Sequence, residues 1–435
     1  MLQMFVLALS LYNTWNRGVF LLCKITNLLI YSALLINLVI FSTNNKLMMY
    51  TKHLSLFIIV LCFVLFVSKK DYTVKMNKFI GLYVAFVSIL LVGCIWFSSS
   101  DGSIDYSIYF ISGISIVLFR FSEIFYRYLL KIFRALFWIF IFSMFLEAAS
   151  PDIFHRLFRF ASFGDETMRA LTSGGAIAGL AFEKAYAAFI CNLGLGMIFA
   201  EYICHKSHKY IIQSLIVMVA LMMTGKRTLF IIPIAVLLIY VILFSKNNKF
   251  IKLAGVGLGI TIFIIGAYVL VPGASLIINR IVNSEGDVLS GREVFWNYAM
   301  EMFRQNPLFG KGFLSFNDYA FYRGFRYYGE RWNYQAHNVY IQLLAETGIV
   351  GFLLITLPII LMLFKTISAV KEKPVFWNIL LIYWIILFGV YSFTGNTLYY
   401  PCQLIVLIII ILLVSNIKVA DSSYMVSKRT IKWKF

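Results

Sequence analysis

Ser290-Gly291-Arg292-Glu293 runs on to Trp296, then come Asn306-Pro307-Leu308-Phe309-Gly310-Lys311-Gly312 and His337-Asn338-Val339-Tyr340. These pieces make up a polar island, Arg280 to Glu346, and the chain on either side of it is apolar over long runs. That contrast decides the fold. A helix needs about 20 apolar residues to cross a bilayer. In lipid its backbone groups must pair within their own segment, so such runs are helices. Working outward from the island, twelve runs qualify, roughly 26–42, 53–67, 78–97, 104–119, 135–147, 185–203, 210–223, 229–245, 253–271, 338–364, 376–393 and 398–415. The expected fold is an all-α integral membrane protein of about 12 transmembrane helices. It forms a single polytopic domain over 1–435, with outer loops at 148–184 and 272–337.

The composition agrees. The chain is 61% hydrophobic and 13% charged, where a soluble domain has about 45–50% apolar and about 25% charged residues. A net charge of +19 suggests nucleic acid at first, but its placement points elsewhere. With the amino terminus in the cytoplasm, 23 of the 38 Lys and Arg residues fall on the cytoplasmic side, and seven of the rest sit in the one long outer loop. Short loops biased in this way set topology, and the charge attracts anionic lipid. The expected partners are therefore membrane lipid and no nucleic acid, with both termini inside. The six cysteines lie in or at the edges of the apolar runs and read as packing residues, without disulfide or metal spacing. Residues 1–14 are apolar without a basic leader region; they read as an extra helix or none, not as a removable signal. No internal repeat at a fixed period is visible, which argues against an inverted-repeat transporter.

Within the island, Ser290 and Glu293 have capping-box spacing. A helix is expected from about 291 to 305, ending before Pro307, with Val294, Phe295, Tyr298, Met302 and Phe303 as an apolar face. Arg292 then stands at a helix start, where free N–H groups and a planar guanidinium can hold phosphate oxygens; the bland alternative is a solvated surface arginine. Lys226 and Arg227 stand at the outer end of a span, either snorkelling to headgroups or meeting the same anion. His337 precedes re-entry into the membrane and can take a proton from a sugar hydroxyl; a lone interfacial histidine satisfied by backbone is its alternative. Asn338, Gln342 and Glu346 share one stripe of the entering helix. A carboxylate at that depth should face the bundle or a wet cavity. Glu346 either ties helices together or lines a lipid-carrier cleft, and it should not touch His337. The loop's tyrosines and Trp332, interleaved with Arg323, Arg326 and Arg331, read as an interfacial belt or a sugar-stacking platform.

In this order and spacing the pieces resemble the O-antigen polymerase and O-antigen ligase family of bacterial surface-polysaccharide assembly. The resemblance covers about 165 to 355. It takes in Met168-Arg169, Gly179 to Glu183, Thr224-Gly225-Lys226-Arg227, Ser290-Gly291-Arg292 to Trp296, the Asn306–Gly312 stretch, His337-Asn338-Val339-Tyr340, and Glu346-Thr347-Gly348-Ile349-Val350-Gly351. It implies a GT-C-like glycosyltransferase at the outer, periplasmic face of the bacterial inner membrane. Such an enzyme takes a glycan from undecaprenyl pyrophosphate with inversion and without a metal or other cofactor. Arg227 and Arg292 would hold the pyrophosphate and His337 would lie at the acceptor hydroxyl, with Glu183 and Glu346 as alternative bases. Arg169, Glu183, Lys226, Trp296, Asn338 and Glu346 are the further substrate-binding candidates. A chain-length regulator is a candidate protein partner. Gln335-Ala336 stands where ligases of the family often carry a second histidine, so a repeat-unit polymerase is favoured over a ligase. A flippase or exporter stays open as a different class, though it should carry charges near the middle of several spans.

Overall fold

A computed structural model describes residues 53, 55–60, 62, 76–96, 103–118, 123–158, 176–181, 183–245, 248–270, 292–324 and 335–416. Every regular element among them is a helix: α1 (Lys78–Trp96), α2 (Ser103–Val117), α3 (Glu123–Ala149), α4 (Pro151–Leu157), α5 (Lys184–His205), α6 (His208–Met223), α7 (Arg227–Phe244), α8 (Lys249–Leu270), α9 (Arg292–Gln305), α10 (Ser315–Tyr322), α11 (Val339–Glu372), α12 (Phe376–Tyr391) and α13 (Pro401–Ser415). Five of these contain stretches long and apolar enough to cross a membrane, in α3, α5, α7, α8 and α11; α1, α2, α6, α12 and α13 are apolar but shorter. The chain is a multi-pass, all-α membrane protein. Ten of the twelve expected runs coincide with these helices. The run at 26–42 lies outside the described residues, and so does part of 53–67, whose described residues are helical.

The centre of the bundle is α5, α12 and α13. They read as apolar on all sides because they are buried on nearly all sides, as the unbroken buried run Gln403 to Val414 shows. α12 packs on α5, α7, α11 and α13, and α5 also meets α3, α6 and α7. Close approach depends on small residues, as is usual in membranes: a Cβ at Gly194 of α5 would stand 1.9 Å from the Phe137 ring of α3. A polar tie at Asn192 crosses this core. Buried Asn192 donates to the carbonyl of Leu229 on α7 at 2.9 Å and accepts from the Tyr383 hydroxyl of α12 at 3.2 Å.

The other determining feature is a break in α11. At Gly348 the backbone turns to φ 63, ψ −170, and two helical halves meet at an angle. A break at this depth exposes carbonyls on one half and N–H groups on the other, and each must find a partner. The Asn306–Gly312 loop supplies them. Lys311 and Gly312 donate to the carbonyls of Ala345 and Glu346 at 3.1 and 2.8 Å. In return, Ile349 and Val350 donate to the carbonyls of Pro307 and Leu308 at 2.9 and 3.2 Å. The two backbones lie so close that only glycine fits. A Cβ on Gly310 would stand 2.3 Å from the Glu346 carbonyl carbon, and one on Gly348 would stand 2.2 Å from the Leu308 oxygen. Both also have positive φ. The Asn306–Gly312 and Glu346–Gly351 stretches are thus two halves of one joint.

Candidate active site

Residues 183, 226–227, 292 and 337–338 stand at the starts of α5, α7, α9 and α11, and these helix starts gather at one end of the bundle. Glu183 immediately precedes α5 and pairs with Lys226 at 3.6 Å. Lys226 immediately precedes α7 and Arg227 is its first residue; Arg292 is the first residue of α9. Asn338 caps α11, its Oδ1 accepting from the N–H groups of Tyr340 and Ile341 at 3.1 and 3.2 Å. Ser290 and its capping box lie outside the described residues, but the helix runs from Arg292 to Gln305, close to the expected limits.

The electrostatics show how near these groups are. Burial lowers the pKa of Arg292; Tyr391 opposes the shift and the charge of Arg227 adds to it. His337 is pushed down to about 4, first by burial and then by the charges of Arg292 and Lys226. Three cations and a histidine therefore share one field. The starts of α7 and α9 carry arginines where the dipole favours anions. Such a cluster is comfortable only with negative charge beside it, and an anion carrying several oxygens fits it.

The remaining candidates divide. Trp296 uses its indole N–H on the carbonyl of Ala336 at 2.9 Å, pinning the chain just before His337. Glu346 is fully buried. Its carboxylate accepts from the Tyr399 hydroxyl at 2.8 Å, the Gln342 amide at 3.1 Å and the Phe316 N–H at 3.3 Å. Gln342 in turn bonds Gln335 and the Ala336 N–H. The stripe Asn338, Gln342, Glu346 is therefore a tie between α11, the loop before it and α10, and Glu346 does not meet His337. Arg169 lies outside the described residues. The α9 helix packs on α10 and α11, burying Ala299 and Met302 with Phe295, Trp296 and Tyr298 alongside; Val294 instead faces out. Of the aromatic cluster, Tyr319 lies beneath both Lys311 and Arg323 at 5.4 and 5.3 Å from its centroid. Phe325 to Tyr334 lie outside the described residues.

Two elements of the site went unread in the sequence. The turn after α12 lies against it: Arg292 Nη1 donates to the Thr394 carbonyl at 3.1 Å, and Asn396 Nδ2 stands 3.2 Å from His337 Nδ1. The Ser392 carbonyl accepts from the Val339 N–H at 2.9 Å. Its only signal was a short run of hydroxyl and amide residues, Ser392 to Thr397, between two apolar runs. The other is Glu147 at the end of α3. It accepts from the N–H groups of Ala178 and Gly179 at 3.1 and 2.6 Å and so fixes the strand of chain leading to Glu183. A Cβ at Gly179 would meet Ser143 Oγ at 2.5 Å.

These features define a polytopic membrane protein with a cationic, histidine-bearing site at one end of its bundle. Residues 212–356 match the family model described as O-antigen ligase, which bears out the resemblance to the O-antigen polymerase and ligase family. The match includes Lys226, Arg227, Arg292, Trp296, His337, Asn338 and Glu346, and stops short of Glu183 and the 392–397 turn. No curated protein matches the chain.

Proposed function

We propose that the chain is a surface-polysaccharide polymerase. It joins repeat units carried on undecaprenyl pyrophosphate by inverting, metal-independent glycosyl transfer at the outer face of the bacterial inner membrane. The observation that carries this reading is the gathering of Lys226 and Arg292 about His337, with Arg227 in the field of Arg292. In the transfer an acceptor hydroxyl oxygen attacks the anomeric carbon, and the bond from that carbon to the pyrophosphate oxygen breaks. The electron pair leaves with the pyrophosphate, so negative charge grows where the cations stand. Preorganised charge at that point lowers the barrier, and each hydrogen bond to a charged group contributes about 1.5–3 kcal/mol.

A lipid-borne donor fits the surroundings. An apolar cavity of about 500 Å³ lies between α5, α6, α7 and α8, lined by Leu195, Met218, Pro233 and Gly259 among others. Pro233 is six residues along α7 from Arg227, about 9 Å below the cations at 1.5 Å per residue.

The second reading, ligation of finished polysaccharide to a lipid A core, is favoured by the description of the matching family model as O-antigen ligase. The surface-glycan ladder of a deletion strain separates the two. A polymerase deletion leaves one repeat unit on the core, and a ligase deletion leaves the core bare. Complementation with Arg292→Ala should fail to restore polymer, with a loss of at least about tenfold for the missing guanidinium. Normal-length polymer from that variant would sink the assignment. If repeat units fail to reach the outer face instead, a flippase or exporter is the correct class.

A further inference from the structure

Building on that reading, we propose that Asn396 is a positioning residue. It holds His337 as the Nε2–H tautomer, so that the imidazole donates to the departing diphosphate and does not receive the acceptor's proton.

The geometry begins with the amide. Asn396 is 1% exposed. Its Nδ2 reaches His337 Nδ1 at 3.2 Å and the Tyr400 hydroxyl at 3.5 Å, while its Oδ1 is buried without a hydrogen-bond partner. Turning the amide over would bring Oδ1 to the histidine but leave an NH2 group, with two hydrogens, in the place where one carbonyl now goes unmatched. Each buried unmatched group is costly, so the orientation with one orphan acceptor is the better of the two. An N–H aimed at Nδ1 requires Nδ1 to be the acceptor, and the ring proton of a neutral histidine then sits on Nε2. In this form Nε2 has no lone pair to offer a hydroxyl proton.

The rest of the environment favours a neutral donor. Arg292 from α9 and Lys226 at the start of α7 both oppose a positive ring, and burial holds the His337 pKa near 4. From the 392–400 turn it faces Asn396, backed by Tyr400. A ring held neutral beside two cations makes a poor proton acceptor, but its N–H extends the same anion clamp. The backbone supports a fixed pose as well, since His337 adopts φ 52, a region few non-glycine residues occupy. The acceptor's proton then needs another destination. Glu183, in ion-pair range of Lys226, supplies a carboxylate. The new carbon–oxygen bond forms and the old one breaks with its electron pair to the diphosphate. The hydroxyl proton passes to Glu183 and from there to solvent.

The test uses the full-length protein, labelled with ring-15N histidine and held in lipid bilayers. The chain has five histidines, and the His337 signals are those missing from His337→Gln. At neutral pH they should show an unprotonated Nδ1 and a protonated Nε2. Asn396→Ala should populate both tautomers, and inorganic pyrophosphate should shift the Nε2 signal. In complemented cells, polymer from His337→Ala should drop by roughly 10- to 100-fold, the equivalent of one hydrogen bond to a charged group. His337→Gln, whose amide N–H can stand in for Nε2–H, should recover most of that loss. A protonated Nδ1 in the native chain, or a His337→Gln variant as inactive as His337→Ala, overturns the proposal. Undiminished polymer from Arg292→Ala overturns the glycosyl-transfer reading and this role with it.

Discussion

Arg227 and Arg292 each open a helix, a position where a carboxylate is stabilising and a cation is not. Both therefore weaken their own helices until an anion arrives, and a ligand that binds only the folded chain would return that stability. His337 carries a related cost that shows in pH. Its folded-state pKa, about 4, lies below the unfolded value of 6.5, so between those values the unfolded chain binds a proton that the folded chain refuses. Stability should be full above pH 6.5, fall as pH drops toward 4, and lose nothing further to this group below 4. The total comes to about 3 kcal/mol at most, at 1.36 kcal/mol per pKa unit. His337→Gln removes the group, so its thermal midpoint in detergent should decline less than that of the native chain between pH 6.5 and 4. Parallel declines for the two proteins would show that the histidine is not held neutral.

At the scale of elements, the joint between the Asn306–Gly312 loop and the break in α11 explains why these stretches appear together. In the sequence they read as separate pieces of a family pattern. Their mutual backbone bonds could not be read, because no periodicity reports a contact between residues 308 and 350. The helices were legible, since apolar length alone specifies them. So was the helix start at Arg292. Glu346 was legible as a buried carboxylate facing the bundle, but its three donors come from α10, α11 and the 399–400 turn, which only the fold brings together. The 392–397 turn stayed silent for the same reason: its residues act through distant contacts with Arg292 and His337. The joint makes a sharp prediction. Gly348→Ala or Gly310→Ala sets a methyl group against backbone and strains a positive φ. Each should destabilise by about 3 kcal/mol or more, strain and clash acting together. Gly257→Ala on α8 meets nothing within 4 Å and should be neutral or slightly stabilising by helix propensity. Detergent thermostability of the three variants measures this directly, and equal effects at Gly348 and Gly257 would refute the joint.

Across the whole molecule, the cationic end and the apolar cavity stand one above the other. The α7 helix joins them, carrying Arg227 at its start and Pro233 at the cavity wall. A donor with a charged diphosphate and a long hydrocarbon tail matches both regions at once. The far wall is α8, whose Gly255 and Gly259 leave the cavity wide; a Cβ at either would meet nothing within 4 Å. Gly259→Leu should therefore fill the cavity without strain. Its thermal midpoint should stay near the native value, because the added side chain enters open space and helix propensity favours Leu over Gly. Transfer from a long-chain polyprenyl donor should weaken by roughly 10-fold or more, the equivalent of losing two buried CH2 groups at about 0.8 kcal/mol each. A donor truncated to a single isoprene unit does not reach the cavity and should be used equally well by both proteins. The measurement is KM for the two donors with purified protein in bilayers. A rise for the long donor alone assigns the cavity to the tail. An equal rise for both, or none for either, would separate the cavity from the reaction and leave the cationic end to recognise the donor by its diphosphate.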